Sequence, residues 1–114
     1  MKLSYNINQG DADKFIGFLT LGVLYCLERK IISVSEAEGF IFKPYVHDLL
    51  EKIDSSDELI NIIKLGCELE DIESLMPERL QDNINDLFNQ TLTMIENSRE
   101  TGRLVDKEIT LTDG

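Results

Sequence analysis

Residues 15–27 form the longest apolar run of the chain, in which only Gly17, Thr20 and Gly22 interrupt large hydrophobic side chains. A helix with this composition is apolar on nearly every side, so we predict that it is the central, buried helix of the fold. It would span roughly 20 Å, less than the ~30 Å of hydrocarbon in a bilayer, which favours burial in protein over a membrane segment. Because glycine weakens a helix, Gly17 and Gly22 are expected to mark close approach by a neighbouring element.

Further helices are predicted from apolar spacing and from the polar residues that begin them. The candidate caps are Asp11 or Asp13 for the first helix, Ser35 with Glu38 for the second, and Ser55 with Glu58 for a later one. Each serine–glutamate pair has the spacing of a capping box. Gly66 is expected to cap the C-terminus of the helix that Ser55 begins.

The two prolines predict where helices restart, because a proline lacks the N–H that only the first turn of a helix can spare. Pro44 interrupts an apolar pattern, so we expect one helix to stop near Phe42 and another to begin with Pro44. Pro77 predicts that the last helix begins near residues 76–78 and runs to about Ser98. The apolar stripe of that last helix comprises Leu80, Ile84, Leu87, Phe88, Thr91, Leu92 and Ile95.

The stretch between Leu65 and Leu80 is the most distinctive part of the chain. Its apolar residues recur at helical spacing, which predicts a short helix that buries Leu69, Ile72, Leu75 and Met76 together. The acidic residues between them would then face solvent. Further along, Glu78, Asp82 and Asp86 recur every four residues on one side of the last helix, where like charges repel one another.

The two termini show the period-two alternation of β-strands, at Leu3, Tyr5 and Ile7 and again at Ile109 and Leu111. They can pair with each other, or one can pair with its counterpart in a dimer. We therefore predict an all-α fold, a compact bundle of four or five helices around residues 15–27 with a short terminal β element. The chain is predicted to be one helical domain, residues 1–114, with an extended segment at about 1–10 and a tail at about 99–114.

Charge is distributed unevenly along the 114 residues. The formal net charge is −11, and residues 48–86 hold twelve of the 22 acidic residues but only three of the 11 Lys and Arg. Residues 1–47, by contrast, are balanced. This acidity argues against nucleic acid and anionic membrane as partners, because both favour basic surfaces. A basic protein is the partner that the charge favours.

Few residues suggest catalytic chemistry. The single histidine, His47, has no second histidine to share a metal site with. Cys26 and Cys67 form no C-x-x-C pair, and Asp11 and Asp13 precede the apolar run where a signal peptide would carry basic residues. We expect reduced cysteines in a cytoplasmic protein, and no cofactor or metal.

The run Gly66-Cys67-Glu68-Leu69-Glu70-Asp71-Ile72-Glu73-Ser74-Leu75-Met76-Pro77-Glu78-Arg79-Leu80 resembles the central signature, LG-x-ELED-x-x-SL-x-P, of a family of small acidic bacterial proteins of unknown function. Cys67 departs from this signature, which is expected to have a small hydroxyl residue there. The resemblance implies a cytoplasmic bacterial protein and supplies no catalytic residues. The chain is also similar, more loosely, to the acidic immunity proteins that neutralise bacterial toxins.

Three functional classes follow. The first is a non-enzymatic interaction module, such as an immunity or inhibitor protein, whose acidic surface binds a basic partner. The residues predicted to form that surface are Glu70, Asp71, Glu73, Glu78, Asp82 and Asp86. The second is a structural or regulatory homodimer that uses the apolar side of the last helix. The third, a carboxylate or metal-dependent enzyme, would require a cleft with strongly perturbed acidic groups.

Overall fold

The computed structural model describes residues 1–102 and 108–113. Within these ranges the elements are, in chain order, β1 (Lys2–Tyr5), α1 (Gln9–Glu28), α2 (Val34–Phe40), α3 (Pro44–Lys52), α4 (Asp57–Cys67), α5 (Leu69–Leu75), a 3₁₀ turn (Pro77–Arg79), α6 (Leu80–Glu96) and β2 (Ile109–Thr112). Four of these helices, α1, α3, α4 and α6, are longer than two turns and form a bundle, while α2 and α5 are short. The predicted all-α bundle with a terminal β element is confirmed.

The core lies where α1, α4 and α6 meet. Helix α6 packs along α1 and against α4, while α3 packs on α4 from the other side. The apolar stripe of α6 faces inward as predicted, because Ile84, Leu87 and Thr91 are buried against these neighbours. Leu80, Phe88, Leu92 and Ile95 of the same stripe are half-buried, and a homodimer that uses this side of α6 stays a prediction.

Helix α1 is less buried than its composition predicts. Only Gly17, Thr20, Leu24 and Leu27 are buried, whereas Phe18 and Tyr25 are 53% and 47% exposed. The expectation of a central helix buried on all sides is thus wrong, because α6 covers one side of α1 and the opposite side faces outward. No helix within the described ranges is long and apolar enough to cross a membrane.

The two glycines of α1 differ in their surroundings. A Cβ on Gly17 would lie 3.0 Å from Cε of Met94, so this glycine does allow α6 to approach closely. Around Gly22, a Cβ would meet no atom within 4 Å. The prediction of close approach is confirmed at Gly17 and is wrong, within a single chain, at Gly22.

Two helix caps differ by one or two residues from the predicted ones. Ser33, not Ser35, caps α2, and its Oγ accepts a hydrogen bond from the Glu36 N–H at 3.0 Å. Likewise Ser56, not Ser55, caps α4. Both differences have the same cause. Each region contains two serines close together, and the packing of the nearby apolar residues decides which serine takes the extended backbone conformation of an N-cap.

We expect Ser33→Ala to lower the free energy of unfolding by about 1 kcal/mol, because the replacement leaves an N–H at the start of α2 without its acceptor. Ser35→Ala is the matched control, since Ser35 is exposed and lies inside the helix. It should change stability by less than about 0.5 kcal/mol. Urea unfolding of the two variants makes the comparison, and equal losses would contradict the cap assignment.

Asp13 binds a different helix from the one it was predicted to cap. Helix α1 begins earlier, after Asn8, and no side chain caps it. The Oδ2 atom of Asp13 instead accepts a hydrogen bond from the Ser56 N–H at 2.9 Å. Asp11 lies in the first turn of α1, where its negative charge is favourable. Asp13 therefore connects α1 to the start of α4.

Both prolines begin helical segments, as predicted. Pro44 is in the first turn of α3, and Pro77 begins the 3₁₀ turn that leads into α6. Gly66, however, does not cap α4. It lies within the helix, and Glu68 is the C-terminal cap. A Cβ on Gly66 would overlap the Phe42 ring, so the glycine is needed for packing between α4 and the segment that follows α2.

The chain termini pair with each other. Strands β1 and β2 are antiparallel, with Leu3 opposite Leu111 and Tyr5 opposite Ile109. Paired residues lie on the same face of a ribbon, so these four apolar side chains share one face. Tyr5 attaches this ribbon to α1, because its ring stacks on Phe15 with centroids 4.5 Å apart.

Candidate functional site

Helix α5 carries three of the six predicted surface residues and is held to the core at its first residue. Leu69 is fully buried and Ile72 partly so. Leu75 and Met76, which were predicted to be buried with them, are 76% and 39% exposed. The prediction fails because Pro77 disfavours helical backbone at Met76, so α5 ends after seven residues and its last turn extends beyond the core.

Four carboxylates meet where α2 packs against α5. Glu38 of α2 lies close enough to Glu70, Asp71 and Glu73 for their negative charges to act on it. We call Glu38, Glu70, Asp71 and Glu73 the acidic cluster. The structure thus brings three of the six predicted surface residues together around a fourth that was assigned to a helix cap. Only the packing of α2 on α5 reveals Glu38, because it is 32 residues from Glu70 in the sequence.

The acidic cluster is electrostatically unfavourable as it stands. Burial raises the pKa of Glu38, and interaction with Glu70 and the charges of Asp71 and Glu73 raise it further. The Oε1 atom of Glu38 is shielded from solvent and has no hydrogen-bond partner. Among the residues described, His47 is the only basic side chain within salt-bridge distance of an acid, and its partners are Asp48 and Glu51. The cluster therefore has no internal cation to offset its repulsion.

We expect Glu38→Gln to stabilise the protein at neutral pH. A carboxyl whose pKa is raised on folding binds its proton more tightly in the folded chain, so it contributes stability below the ordinary pKa of 4.5. That contribution is lost as the pH rises through 4.5 and past the folded pKa. Glutamine removes the titration and keeps nearly the same side-chain size.

Thermal unfolding of the wild type and Glu38→Gln between pH 4 and pH 8 measures this effect. The melting temperature of the variant should exceed that of the wild type at pH 8, and the gain should shrink as the pH falls toward 4. A gain that is constant with pH would show that the variant acts through packing and not through the Glu38 charge.

Cys67 lies beside the same cluster. Burial raises the pKa of its thiol, and the negative charges of Glu38 and Glu68 raise it further. The thiol therefore stays protonated at neutral pH, where it is a weak nucleophile and a poor metal ligand. Both cysteines are free, and both are half-buried. Cys67 is best understood as a packing residue at the end of α4.

The other three predicted residues lie further along the chain and are all exposed. Glu78 is in the 3₁₀ turn, while Asp82 and Asp86 are one turn apart on α6. Asp86 borders a shallow cleft of about 160 Å³ between α5 and α6, which Glu68 and Ile72 also line. The predicted surface thus has two parts: the acidic cluster on α2 and α5, and a row of acids along the turn and α6.

His47 lies in a separate group on α3. Its Nδ1 atom is 3.3 Å from Asp48 Oδ1 and 3.4 Å from Glu51 Oε1. Potential ligand atoms of these three residues lie within 4.8 Å of one another. Both carboxylates are well exposed, and all three residues belong to α3. The relative positions of the three side chains are therefore set within one helix. We interpret the group as a local ion pair that forms when His47 is protonated.

Comparisons with known proteins complete this description. No curated protein and no solved structure matches the chain significantly. A family model described as "Protein of unknown function (DUF3969)" matches residues 7–109, which include all six helices and the start of β2. The expectation of a family of unknown function is confirmed, and the chain belongs to the DUF3969 family.

Proposed function

We propose that this protein is a non-enzymatic interaction module whose acidic surface binds a basic protein. The observation that carries the proposal is the acidic cluster, in which Glu38 is held beside three other carboxylates with a raised pKa. A cationic side chain from a partner would reduce the mutual repulsion of these groups. Binding would then stabilise the charged form of Glu38, and the attraction to the partner would offset the electrostatic repulsion that destabilises the free protein.

The shape of α5 supports the same proposal. Its last turn presents exposed Leu75 and Met76 between Glu73 and Glu78. Protein interfaces commonly combine an apolar centre with a charged rim, the apolar residues giving affinity and the charges giving register. A basic partner with a small apolar contact would fit this arrangement. The proposed biological setting is that of a cytoplasmic bacterial inhibitor or immunity protein, for which the partner is the toxin or enzyme that it blocks.

Capture with matched baits tests the proposal. One bait carries Glu70→Gln, Glu73→Gln, Glu78→Gln and Asp82→Asn on the proposed surface. The control bait carries Asp48→Asn, Glu51→Gln, Glu96→Gln and Glu100→Gln, which are exposed and lie elsewhere. Each bait removes four negative charges from a net charge of −11, so the two differ only in where the charge is lost.

We expect the wild type and the control bait to retain one basic protein from a lysate of the native host, and the surface variant to lose it. Raising the salt to about 0.5 M should release the partner, because the screening length falls from ~10 Å at 0.1 M to ~3 Å at 1 M. Equal loss from both variants would show that only net charge matters. Retention by the surface variant would place the binding site elsewhere.

A further inference from the structure

The outward side of α1 is an apolar surface that no other helix covers within residues 1–102 and 108–113. Residues three, four and seven apart lie on one side of a helix, and here they are Phe15, Phe18, Leu19, Gly22, Tyr25 and Cys26. Phe18, Leu19 and Tyr25 are about half exposed. No Asp, Glu, Lys or Arg lies between Lys14 and Glu28, and the nearest charge at the far end of this side is the Arg29 guanidinium, 5.8 Å from the centre of the Tyr25 ring.

The β-ribbon continues the same surface. Its apolar face carries Leu3, Tyr5, Ile109 and Leu111, each between 43% and 71% exposed. The stack of Tyr5 on Phe15 joins that face to the side of α1, and both rings line a small cavity with Phe18. We call the ribbon face and the outward side of α1 together the apolar face.

The apolar face points to a second copy of this chain: we propose that the protein is a homodimer in which two α1 helices cross near Gly22. This inference is independent of the acidic surface. Glycine is costly inside a helix, and no neighbour within 4 Å explains it at this position. A partner helix that packs against the bare backbone of Gly22 would explain it.

The order of residues around Gly22 suits an antiparallel crossing on a two-fold axis. Leu19 lies three residues before Gly22, and Tyr25 lies three residues after it. In an antiparallel crossing at Gly22, Leu19 of one copy would therefore lie opposite Tyr25 of the other copy. Asp11 near the start of α1 would approach the partner's C-terminal end, where Arg29 lies. An interface of this kind is self-complementary, as a two-fold dimer requires.

Area and charge favour a second copy as well. Seven large apolar side chains that are about half exposed offer on the order of 700 Å², close to the ~800 Å² that each partner contributes to a stable interface. Two copies that each carry a charge of −11 repel one another. Close approach is least unfavourable through a surface with few acids, and on the apolar face Asp11 lies only at the edge, beside Lys14.

Sedimentation equilibrium of the full chain between about 1 and 100 µM tests the proposal. The test variant is Gly22→Gln and its control is Gly39→Gln, since a Cβ meets no atom within 4 Å at either glycine in the single chain. Both variants should therefore fold, which circular dichroism checks. Gly39 lies on α2, away from the apolar face.

We expect a dimer for the wild type and for Gly39→Gln, with a dissociation constant of about 10 µM or less, and at least a tenfold weaker dimer for Gly22→Gln. A wild type that is monomeric up to 100 µM would overturn the proposal and leave the apolar face to a different partner. Dimerisation of Gly22→Gln with unchanged affinity would overturn it too, because the contact would then lie elsewhere.

Discussion

Gly66→Ala is expected to destabilise the protein by about 2 to 3 kcal/mol, although alanine is the better helix former. A Cβ at residue 66 would overlap the Phe42 ring, 2.7 Å from its Cγ atom. Phe42 is itself buried in the core, so the ring has little room to move. The alanine would force α4 away from the chain that follows α2, and a chain of this size should lose on the order of 10 °C in melting temperature.

Gly39→Ala is the matched control for this prediction. Gly39 is also inside a helix, but a Cβ there meets no atom within 4 Å, so the substitution should be neutral or slightly stabilising. Phe42→Leu in the Gly66→Ala background should recover part of the loss, because the shorter side chain leaves room for the new methyl group. Strictly additive effects of Phe42→Leu and Gly66→Ala would contradict the contact.

Leu69→Ala is expected to cost about 2 to 4 kcal/mol of unfolding free energy. Leu69 is completely buried and is the first residue of α5, the helix that presents three of the proposed binding residues. Its loss would leave a cavity in the core and release α5 from the bundle. Amide hydrogen exchange should therefore rise first in residues 69–75, before it rises in α1 or α6.

Leu75→Ala tests whether Leu75 is exposed, as in the structure, or buried in the core with Leu69, as the sequence predicts. Leu75 is 76% exposed, so its truncation should change the stability by less than about 0.5 kcal/mol. Chemical denaturation of the two leucine variants side by side gives the comparison. A loss at residue 75 as large as that at residue 69 would mean that the last turn of α5 packs on the core.

The helices themselves follow from local patterns in the sequence. Apolar spacing predicts the stripe of α6, and the missing N–H of proline predicts that segments restart at Pro44 and Pro77. These features depend on neighbouring residues alone, so a single sequence contains the information. The choice between Ser33 and Ser35, or between Ser55 and Ser56, depends on which residues the core buries, and the sequence leaves both possibilities open.

The candidate site could be predicted only in part, for a reason that Glu38 illustrates. The exposure of Glu70, Asp71 and Glu73 follows from helical spacing within one short segment. The presence of Glu38 beside them depends on how α2 packs against α5, a contact between segments that are distant in sequence. Residue types within one segment cannot reveal a charge that a second segment contributes.

The exposure of α1 was missed for a related reason. An apolar helix is expected to be buried, and the sequence does not say whether the covering surface belongs to the same chain. Phe18 and Tyr25 face outward because the other long helices fit on one side of α1 only. Gly22 is the residue in the sequence that indicates a contact on this side, because a glycine inside an apolar helix points to close packing but does not identify the partner.

Amide chemical-shift mapping with the captured basic protein tests the central claim most directly. Titration of that protein into labelled wild type should perturb the residues of α2, α5 and the 3₁₀ turn first, and Glu38→Gln should weaken the response. Perturbations confined to α1 and the β-ribbon, with α5 unchanged, would contradict the claim that the acidic surface is the binding site.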